Sequence, residues 1–452
     1  MTIRLIILDM DGTLIDLKNL HFEALNMALP PKYRISIDDH DNIYEGLLTK
    51  EKVRILAASY GLPRKYIPGI LKLKQHYTLE LFKKLPINKK ILPALKKFRA
   101  DNFLIYVASD AVGETVKEGL EKLRITDLID KVYSREGSKN LKPHPEIFLK
   151  CMVDAGVGPS ETLIIEDSKR GLESAVRSGA FVYAVDNSFD FKYENIAHFI
   201  KTCKSDPVKW PGKSNLNILI PMAGAGSRFS QVGYTLPKPL IPVKSIPMIE
   251  RVVKSLNIDA NYIFMAQKEH CEKYNLKSYL NSIAPGCKVV EINGLTEGAA
   301  CTTLAAKELI NNNKHLLIVN SDQLIVWDSM DFVYRMISRD IDGGIATFKA
   351  TASNLSYAQI NELNRVTKVA EKQVISDNAT AGAYYWKKGS DYIKFAEQMI
   401  AKNIRINNEF YVCPVYNEAL LENKKFLAYN VKKVWGLGTP EDLNYFLENY
   451  NE

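Results

Sequence analysis

The chain has 452 residues, more than a single growing hydrophobic core usually holds, so two domains are expected. With 46% hydrophobic and 25% charged residues, 24 Gly and 19 Pro, its composition excludes a disordered, fibrous or collagen-like chain. The net charge of +8 is scattered and forms no basic run of the kind that grips nucleic acid, while a mild positive balance suits a protein that handles phosphate esters.

From Met1 the sequence passes directly into the strand-like run Arg4 to Leu8, with no basic leader or cleavage site, and no apolar stretch of about eighteen residues follows anywhere. A soluble cytoplasmic protein with no membrane insertion is expected. The six cysteines, Cys151, Cys203, Cys271, Cys287, Cys301 and Cys413, show neither a C-x-x-C pair nor zinc spacing and read as reduced thiols.

Residues 17 to 85 are helical in pattern and interrupt an alternation of strand and helix that resumes at the strands Leu104 to Ala108 and Leu163 to Ile165. The stretch Lys204 to Asn215, rich in Pro, Gly, Ser and Lys, reads as a linker. Domain limits of 1–205 and 216–452 are expected, with a linker over 206–215. A second opening strand, Asn217 to Ile220, feeds a glycine-rich turn, and further strands are expected at Tyr262 to Ala266, Lys288 to Ile292, Leu316 to Val319 and Gly343 to Lys349. Both halves therefore read as Rossmann-like α/β domains.

In the first half, Leu8-Asp9-Met10-Asp11-Gly12-Thr13 sets two carboxylates two residues apart beyond a buried strand, where both can reach one metal and one phosphoryl group. One can attack phosphorus, while the other protonates the leaving oxygen and then deprotonates water. Ser109 ends the next strand, where its hydroxyl can bond a transferring oxygen or simply cap a helix. Lys142, in Lys142-Pro143-His144-Pro145, offers a fixed positive charge, and Glu166-Asp167 closes a third strand with oxygen ligands that suit Mg²⁺.

Here the sequence resembles the haloacid dehalogenase superfamily, and within it the members with a helical cap after the first motif. The resemblance spans about residues 3–190. It implies that Asp9 is the nucleophile and Asp11 the general acid/base, and that Ser109 and Lys142 bind phosphate. It also implies that Asp9, the backbone carbonyl of Asp11 and Asp167 bind Mg²⁺, with Glu166 a weaker candidate. Asp11 argues against a dehalogenase, because a general acid serves an alkoxide leaving group and not a halide. A phosphomutase shares these motifs and stays open. His21 and Gly46 sit where cap-bearing relatives carry a hinge histidine and a substrate-loop glycine, and a simple hinge histidine explains His21 equally well.

In the second half, Pro221-Met222-Ala223-Gly224-Ala225-Gly226-Ser227-Arg228 is a glycine-rich turn that can bring backbone N–H groups to a triphosphate, with Arg228 over the phosphates. It has neither the Walker lysine nor the dinucleotide spacing. Pro237-Lys238-Pro239 then fixes the direction of one lysine. Together they resemble the sugar-phosphate nucleotidyltransferases of the GT-A type fold, over about residues 217–445. The resemblance implies that Ala223, Gly224, Gly226, Glu297 and Gly298 contact the nucleotide, that Arg228 and Lys238 are catalytic, and that Glu371, Lys372 and Gly382 contact the sugar phosphate. Asp322 matches the Mg²⁺-binding aspartate of that family. A departure lies in Trp435-Gly436-Leu437-Gly438-Thr439-Pro440, where Gly436 stands at the position of a second metal-binding aspartate; either another carboxylate such as Glu409 completes the metal site, or Asp322 and the triphosphate oxygens suffice.

A phosphatase joined to a nucleotidyltransferase is futile if it removes the phosphate that the transferase needs. The expected substrate therefore carries two phosphates, and the expected product is an NDP-sugar or NDP-alditol plus pyrophosphate. The resemblance points to surface-polysaccharide pathways, to CTP before UTP, and to Mg²⁺ in both sites. Two other readings remain: an N-terminal phosphomutase feeding the transferase, and a C-terminal domain that only binds nucleotide and regulates the phosphatase. A homo-oligomer is compatible with the sequence.

Overall fold

The computed structural model describes residues 3–44, 47–202, 213, 215–339 and 341–450. The segment Lys204 to Asn215 lies outside these except for Lys213 and Asn215, as does Gly46. The chain forms two compact units, residues 1–209 and 210–452.

In the first unit β1 (Leu5–Leu8), β2 (Leu104–Ala108), β3 (Lys131–Tyr133), β4 (Thr162–Glu166) and β5 (Phe181–Ala184) form a parallel sheet in the order β3-β2-β1-β4-β5. β1 and β4 are buried at every position, as strands covered on both faces must be. The register aligns Leu8 with Val107 and with Ile165, so the chain leaves β1, β2 and β4 at one level. Between β1 and β2 the chain is mainly helical, with helices Lys18–Ala28, Thr49–Ser59 and Ile67–Lys84. Their inward faces make a separate apolar cluster that includes Leu25, Val53, Leu56 and Ile70, joined by Tyr44 from the segment between the first two.

The second unit is built on a nine-stranded mixed sheet. Its strands are β6 (Leu216–Pro221), β9 (Asn261–Gln267), β10 (Lys288–Ile292), β11 (His315–Val319), β13 (Gly343–Lys349), β14 (Ser356–Ile360), β15 (Val366–Glu371), β16 (Asn378–Trp386) and β17 (Phe426–Asn430). The order is β10-β9-β6-β11-β16-β13-β17, and β14 and β15 branch from β16 as an antiparallel pair. β6, β9, β10 and β11 are mutually parallel, whereas β16 runs antiparallel to both β11 and β13. Two small ribbons complete the unit: β7 (Pro242–Val243) with β8 (Ile246–Pro247), and β12 (Gln323–Val326) with β18 (Lys433–Gly436). Among the described residues no helix is long and apolar enough to cross a membrane, and five cysteines are free.

The core of the second unit closes around Trp386, whose ring lies 4.5 Å from that of Tyr416 and 5.1 Å from that of Phe426. At the start of β11, His315 is buried and stacks on Tyr385, whose hydroxyl stands 2.8 Å from its Nδ1. Burial, aided by the nearby Lys387 charge, lowers its pKa to about 4. The folded state therefore favours the neutral ring, so this stabilisation is complete above the unfolded value near 6.5 and is lost as pH falls toward 4. The unfolding free energy of the second unit should decline over that window by up to about 1.4 kcal/mol per pH unit, and His315→Gln should flatten the slope in denaturant titrations at successive pH values.

Candidate active sites

The strand ends of the first unit gather its charged groups. Asp9 follows β1 and is anchored by its backbone N–H, which donates to the carbonyl of Ile165 at 3.0 Å. The Lys142 ammonium is buried and donates to Asp9 Oδ1 at 2.5 Å, to Glu166 Oε1 at 2.6 Å and to the carbonyl of Ala108 at 3.1 Å. Its backbone is held from two sides, its N–H donating to Asp110 Oδ2 at 3.1 Å and its carbonyl accepting from Arg170 Nε at 2.9 Å. Burial opposes the Lys142 charge, but Asp9, Glu166 and Asp110 outweigh it and hold the pKa above the ordinary lysine value. Burial and then Glu166 push the Asp9 carboxyl well up, against the pull of Lys142.

Glu166 spends both oxygens on protein partners. Oε1 accepts from Lys142, and Oε2 accepts the N–H groups of Asp167 at 2.9 Å and Ser168 at 3.0 Å. In this arrangement Glu166 orients Lys142 and ties down the turn after β4. Asp9, Glu166 and Asp167 bring one oxygen each within 4.8 Å of one another. Burial, followed by the charges of Glu166, Asp9 and Asp11, also raises the Asp167 carboxyl well above its ordinary value. Carboxylates crowded against their own repulsion make a donor set that fits a hard divalent cation.

The turn after Asp9 depends on Gly12, whose φ of +90° is left-handed and whose N–H donates to the carbonyl of Ile15 at 2.7 Å. A Cβ at this position would stand 2.0 Å from Asp167 Oδ2. Ser109 is buried and its Oγ accepts the N–H of Ala111 at 3.1 Å, which leaves its own O–H to donate. Asp11 is half-buried, and its Oδ2 lies 3.0 Å from His21 Nε2. On the other side of that ring, Lys74 Nζ lies 3.1 Å from Nδ1. Lys74 arrives from helix Ile67–Lys84, and burial, opposed by Asp11 and reinforced by Lys52 and Arg135, lowers its pKa to about 8. Lys74 carried no sequence signal, since only tertiary folding brings a residue of that helix to Asp11.

In the second unit the glycine-rich turn follows β6. Gly226 takes a φ of +61° to start the short helix Ser227–Gln231, which carries the exposed Arg228. Gln267, at the end of β9, donates to the carbonyls of Ala223 at 2.5 Å and Gly294 at 2.9 Å and so clamps the turn. Lys238 Nζ bonds Asp322 Oδ2 at 2.5 Å, and a Cβ on Gly226 would meet the Lys238 Cβ at 3.3 Å. Gly382 lies against the same β11–β12 turn: its carbonyl accepts the N–H of Asn320 at 2.8 Å, and a Cβ there would stand 1.8 Å from Gln323 Oε1.

A second group of residues assembles around Phe410. Its N–H donates to the carbonyl of Glu297 at 2.8 Å, and its carbonyl accepts from Ala300 at 2.9 Å. Between them Gly298, at a φ of +121°, passes so close that a Cβ would stand 2.5 Å from that carbonyl oxygen. Arg405 stacks on the Phe410 ring at 4.1 Å and pairs with Glu297 at 2.6 Å. Lys372 donates to the Tyr411 hydroxyl at 2.5 Å, and Glu371 accepts from Ser356 Oγ at 2.5 Å, its carboxyl raised by burial. Glu409 stands beside Tyr411 and Glu371. The Asp442 carboxylate shares the surroundings of Asp322, both lying against Gly438. Gln267, Arg405, Phe410, Tyr411 and Asp442 belong to no motif visible in the sequence.

The model of the nucleotidyl transferase family matches residues 218–450, and that of the haloacid dehalogenase-like hydrolases matches residues 6–185. The chain belongs to the nucleotidyl transferase family, fused to a haloacid dehalogenase-like hydrolase domain. An uncharacterized protein of Haemophilus influenzae is 28% identical over 187 residues, 40% of this chain and 90% of that one. A phosphorylated carbohydrates phosphatase of Thermotoga maritima is 29% identical over 192 residues, 41% of this chain and 86% of that one. The crystal structure of a nucleoside-diphosphate-sugar pyrophosphorylase from Vibrio cholerae RC9 is 24% identical, covering 51% of this chain and all of that one, with a TM-score of 0.46. The chain is thus an enzyme with a phosphatase domain and a nucleotidyltransferase domain.

The clearance at Gly12 gives a sharp expectation. Gly12→Ala should lower hydrolysis of a chromogenic phosphate monoester by more than about a hundredfold, through displacement of Asp167, with circular dichroism unchanged.

Proposed function

We propose that this chain is a bifunctional enzyme of nucleotide-sugar or nucleotide-alditol biosynthesis, serving surface polysaccharide. The observation that carries this reading recurs in both units: a lysine is ion-paired to an aspartate at the end of a parallel strand, Lys142 on Asp9 and Lys238 on Asp322. Each pair is a site prepared for a phosphoryl group, with cationic charge fixed before the substrate arrives.

In the first unit Asp9 attacks the phosphorus of a monoester and forms an aspartyl-phosphate, while Asp11 protonates the departing alkoxide. Asp11 then takes a proton from water, which releases inorganic phosphate and restores Asp9. Lys142 and the Ser109 hydroxyl hold the phosphoryl oxygens. Asp9, Asp167 and the Asp11 carbonyl are the residues to hold Mg²⁺, which when bound neutralises phosphoryl charge. Lys52 and Arg135 both act electrostatically on Lys74, as does Asp11. That gathering of cations supports a substrate with a second anionic group, left intact for the next step.

In the second unit an oxygen of the remaining phosphate attacks the α-phosphorus of an NTP, CTP or UTP being favoured, and the bond to pyrophosphate breaks. Arg228 and Lys238 stabilise the charge that develops, the turn Ala223–Gly226 and the Glu297–Gly298 segment receive the nucleotide, and Glu371, Lys372 and Gly382 receive the sugar or polyol phosphate. Asp322 is a residue to hold Mg²⁺ there.

The two activities should separate by mutation. Asp9→Asn should abolish phosphate release by about a thousandfold or more while sparing pyrophosphate release, and Lys238→Met should do the reverse. Mass spectrometry of a matrix of NTPs against phosphorylated sugars and polyols reads both at once. Pyrophosphate release with no pair would defeat the transferase reading, and an isomerised ester in place of free phosphate would favour the mutase.

A further inference from the structure

The resemblance to sugar-phosphate nucleotidyltransferases calls for an acid at position 436, where this chain has glycine. A Cβ on Gly436 would stand 3.2 Å from Asp442 Cγ and 3.4 Å from each of its carboxylate oxygens. The space into which a side chain at 436 would grow is therefore already filled by a carboxylate, one that arrives from the first turn of helix Pro440–Asn449. Two residues on, a Cβ on Gly438 would stand 3.3 Å from Asp322 Oδ2 and 3.7 Å from Asp442 Oδ2. Both carboxylates thus face one glycine, and the same Asp322 Oδ2 also accepts from Lys238.

Among the described residues, the hydrogen bond that holds Asp442 in place is made by its backbone. Its backbone N–H donates to Thr439 Oγ1 at 3.1 Å, so the helix cap uses the amide and not the side chain. Leu443 and Phe446 of the same helix are buried in one cluster with Phe229, Leu324, Trp435 and Leu437. That cluster fastens the helix to the turn of Arg228 and to the β12–β18 ribbon. Leu437 N–H also donates to the carbonyl of Asp322 at 2.8 Å, which ties the two acids through a single short path.

We propose that Asp442 supplies the second carboxylate of the nucleotidyl-transfer metal site, so that the Mg²⁺ of an Mg·NTP complex is held between Asp322 and Asp442. This rests on reading the second unit as a transferase. Mg²⁺ holds its oxygens at about 2.1 Å, which sets two of them about 3 to 4 Å apart. Both Oδ2 atoms stand around the same point beside Gly438, at 3.3 and 3.7 Å, so rotation of the side chains can bring them to that spacing. Lys238 balances one of the two charges, and a triphosphate adds several more negative ones, so a divalent cation is required for all of them to coexist. Gly436 has no positive φ, so an acid is sterically allowed on its backbone once Asp442 is shortened.

The test uses the full chain carrying Asp9→Asn and Asp167→Asn, which silences the first metal site. Calorimetry compares the affinity for the α,β-methylene analogues of CTP and UTP with and without Mn²⁺. Asp442→Asn should cut the gain that Mn²⁺ confers by about tenfold or more and leave metal-free binding unchanged, with the melting temperature within about 3 °C. Gly436→Asp with Asp442→Ser should restore most of the gain, because it returns a carboxylate to the same place from the strand. An unaltered gain in Asp442→Asn overturns the proposal, as does a loss that follows the melting temperature and is not restored by the exchange. If the parent shows no Mn²⁺-dependent analogue binding and the unmodified chain releases no pyrophosphate with any NTP, the transferase reading falls first and this proposal with it. Pyrophosphate release that Asp442→Asn leaves intact sinks the metal assignment alone.

Discussion

The buried ammonium of Lys142 is the interaction on which the first site depends. Three carboxylates, those of Asp9, Glu166 and Asp167, are collected where parallel strands end, in surroundings that exclude most water. Burying several like charges is unfavourable by many kcal/mol unless opposite charge is built in. Lys142 supplies it, bonding Asp9 and Glu166 together, and its backbone is fastened to Asp110 and Arg170 so that the charge cannot drift away. One lysine for three acids still leaves negative charge in excess. The carboxyls of Asp9 and Asp167, raised first by burial and then by the neighbouring acids, leave the site receptive to a divalent cation.

The second site solves a related problem with less burial. Lys238 and Asp322 remain partly exposed, and their positions come from the backbone: prolines on both sides of Lys238, and a turn after β11 bonded to β16 at Asn320 and to the β18 segment at Leu437. Close backbone approach recurs there. Gly298 against Phe410, Gly382 against Gln323 and Gly226 against Lys238 each leave no room, or hardly any, for a Cβ. At these glycines two segments are pressed together, so each fixes the place of neighbours as much as its own.

The pairing of the two chemistries has a physical logic. In the proposed reading each domain needs acids to hold a cation and a cation to hold phosphate, and each has such residues at the carboxyl ends of parallel strands, where side chains converge at a crevice. The helical segment between β1 and β2 adds what the bare sheet lacks. Through Lys74 and His21 it reaches Asp11, so Asp11 belongs electrostatically to two layers of the first unit.

The sequence by itself determined the apolar strands that are buried on both faces, and hence the residues immediately after them. Asp9, Ser109, Glu166, Asp167 and Asp322 were legible because a run such as Leu5 to Leu8 or Leu316 to Val319 must end in a turn at the sheet edge. Weakly patterned strands were not: β3 is half-exposed, and β12 and β18 pair only with each other across more than a hundred residues. Partnership was decided by tertiary structure alone. No spacing reveals that Glu166 clasps Lys142, that Lys74 meets His21, or that Phe410 closes on Gly298, because these contacts form between segments that only the packed core brings together. The position of the acid beside Gly436 belongs to the same class. A strand position empty in sequence is filled in space from a helix, since electrostatics depends on where a carboxylate stands and not on the element that carries it.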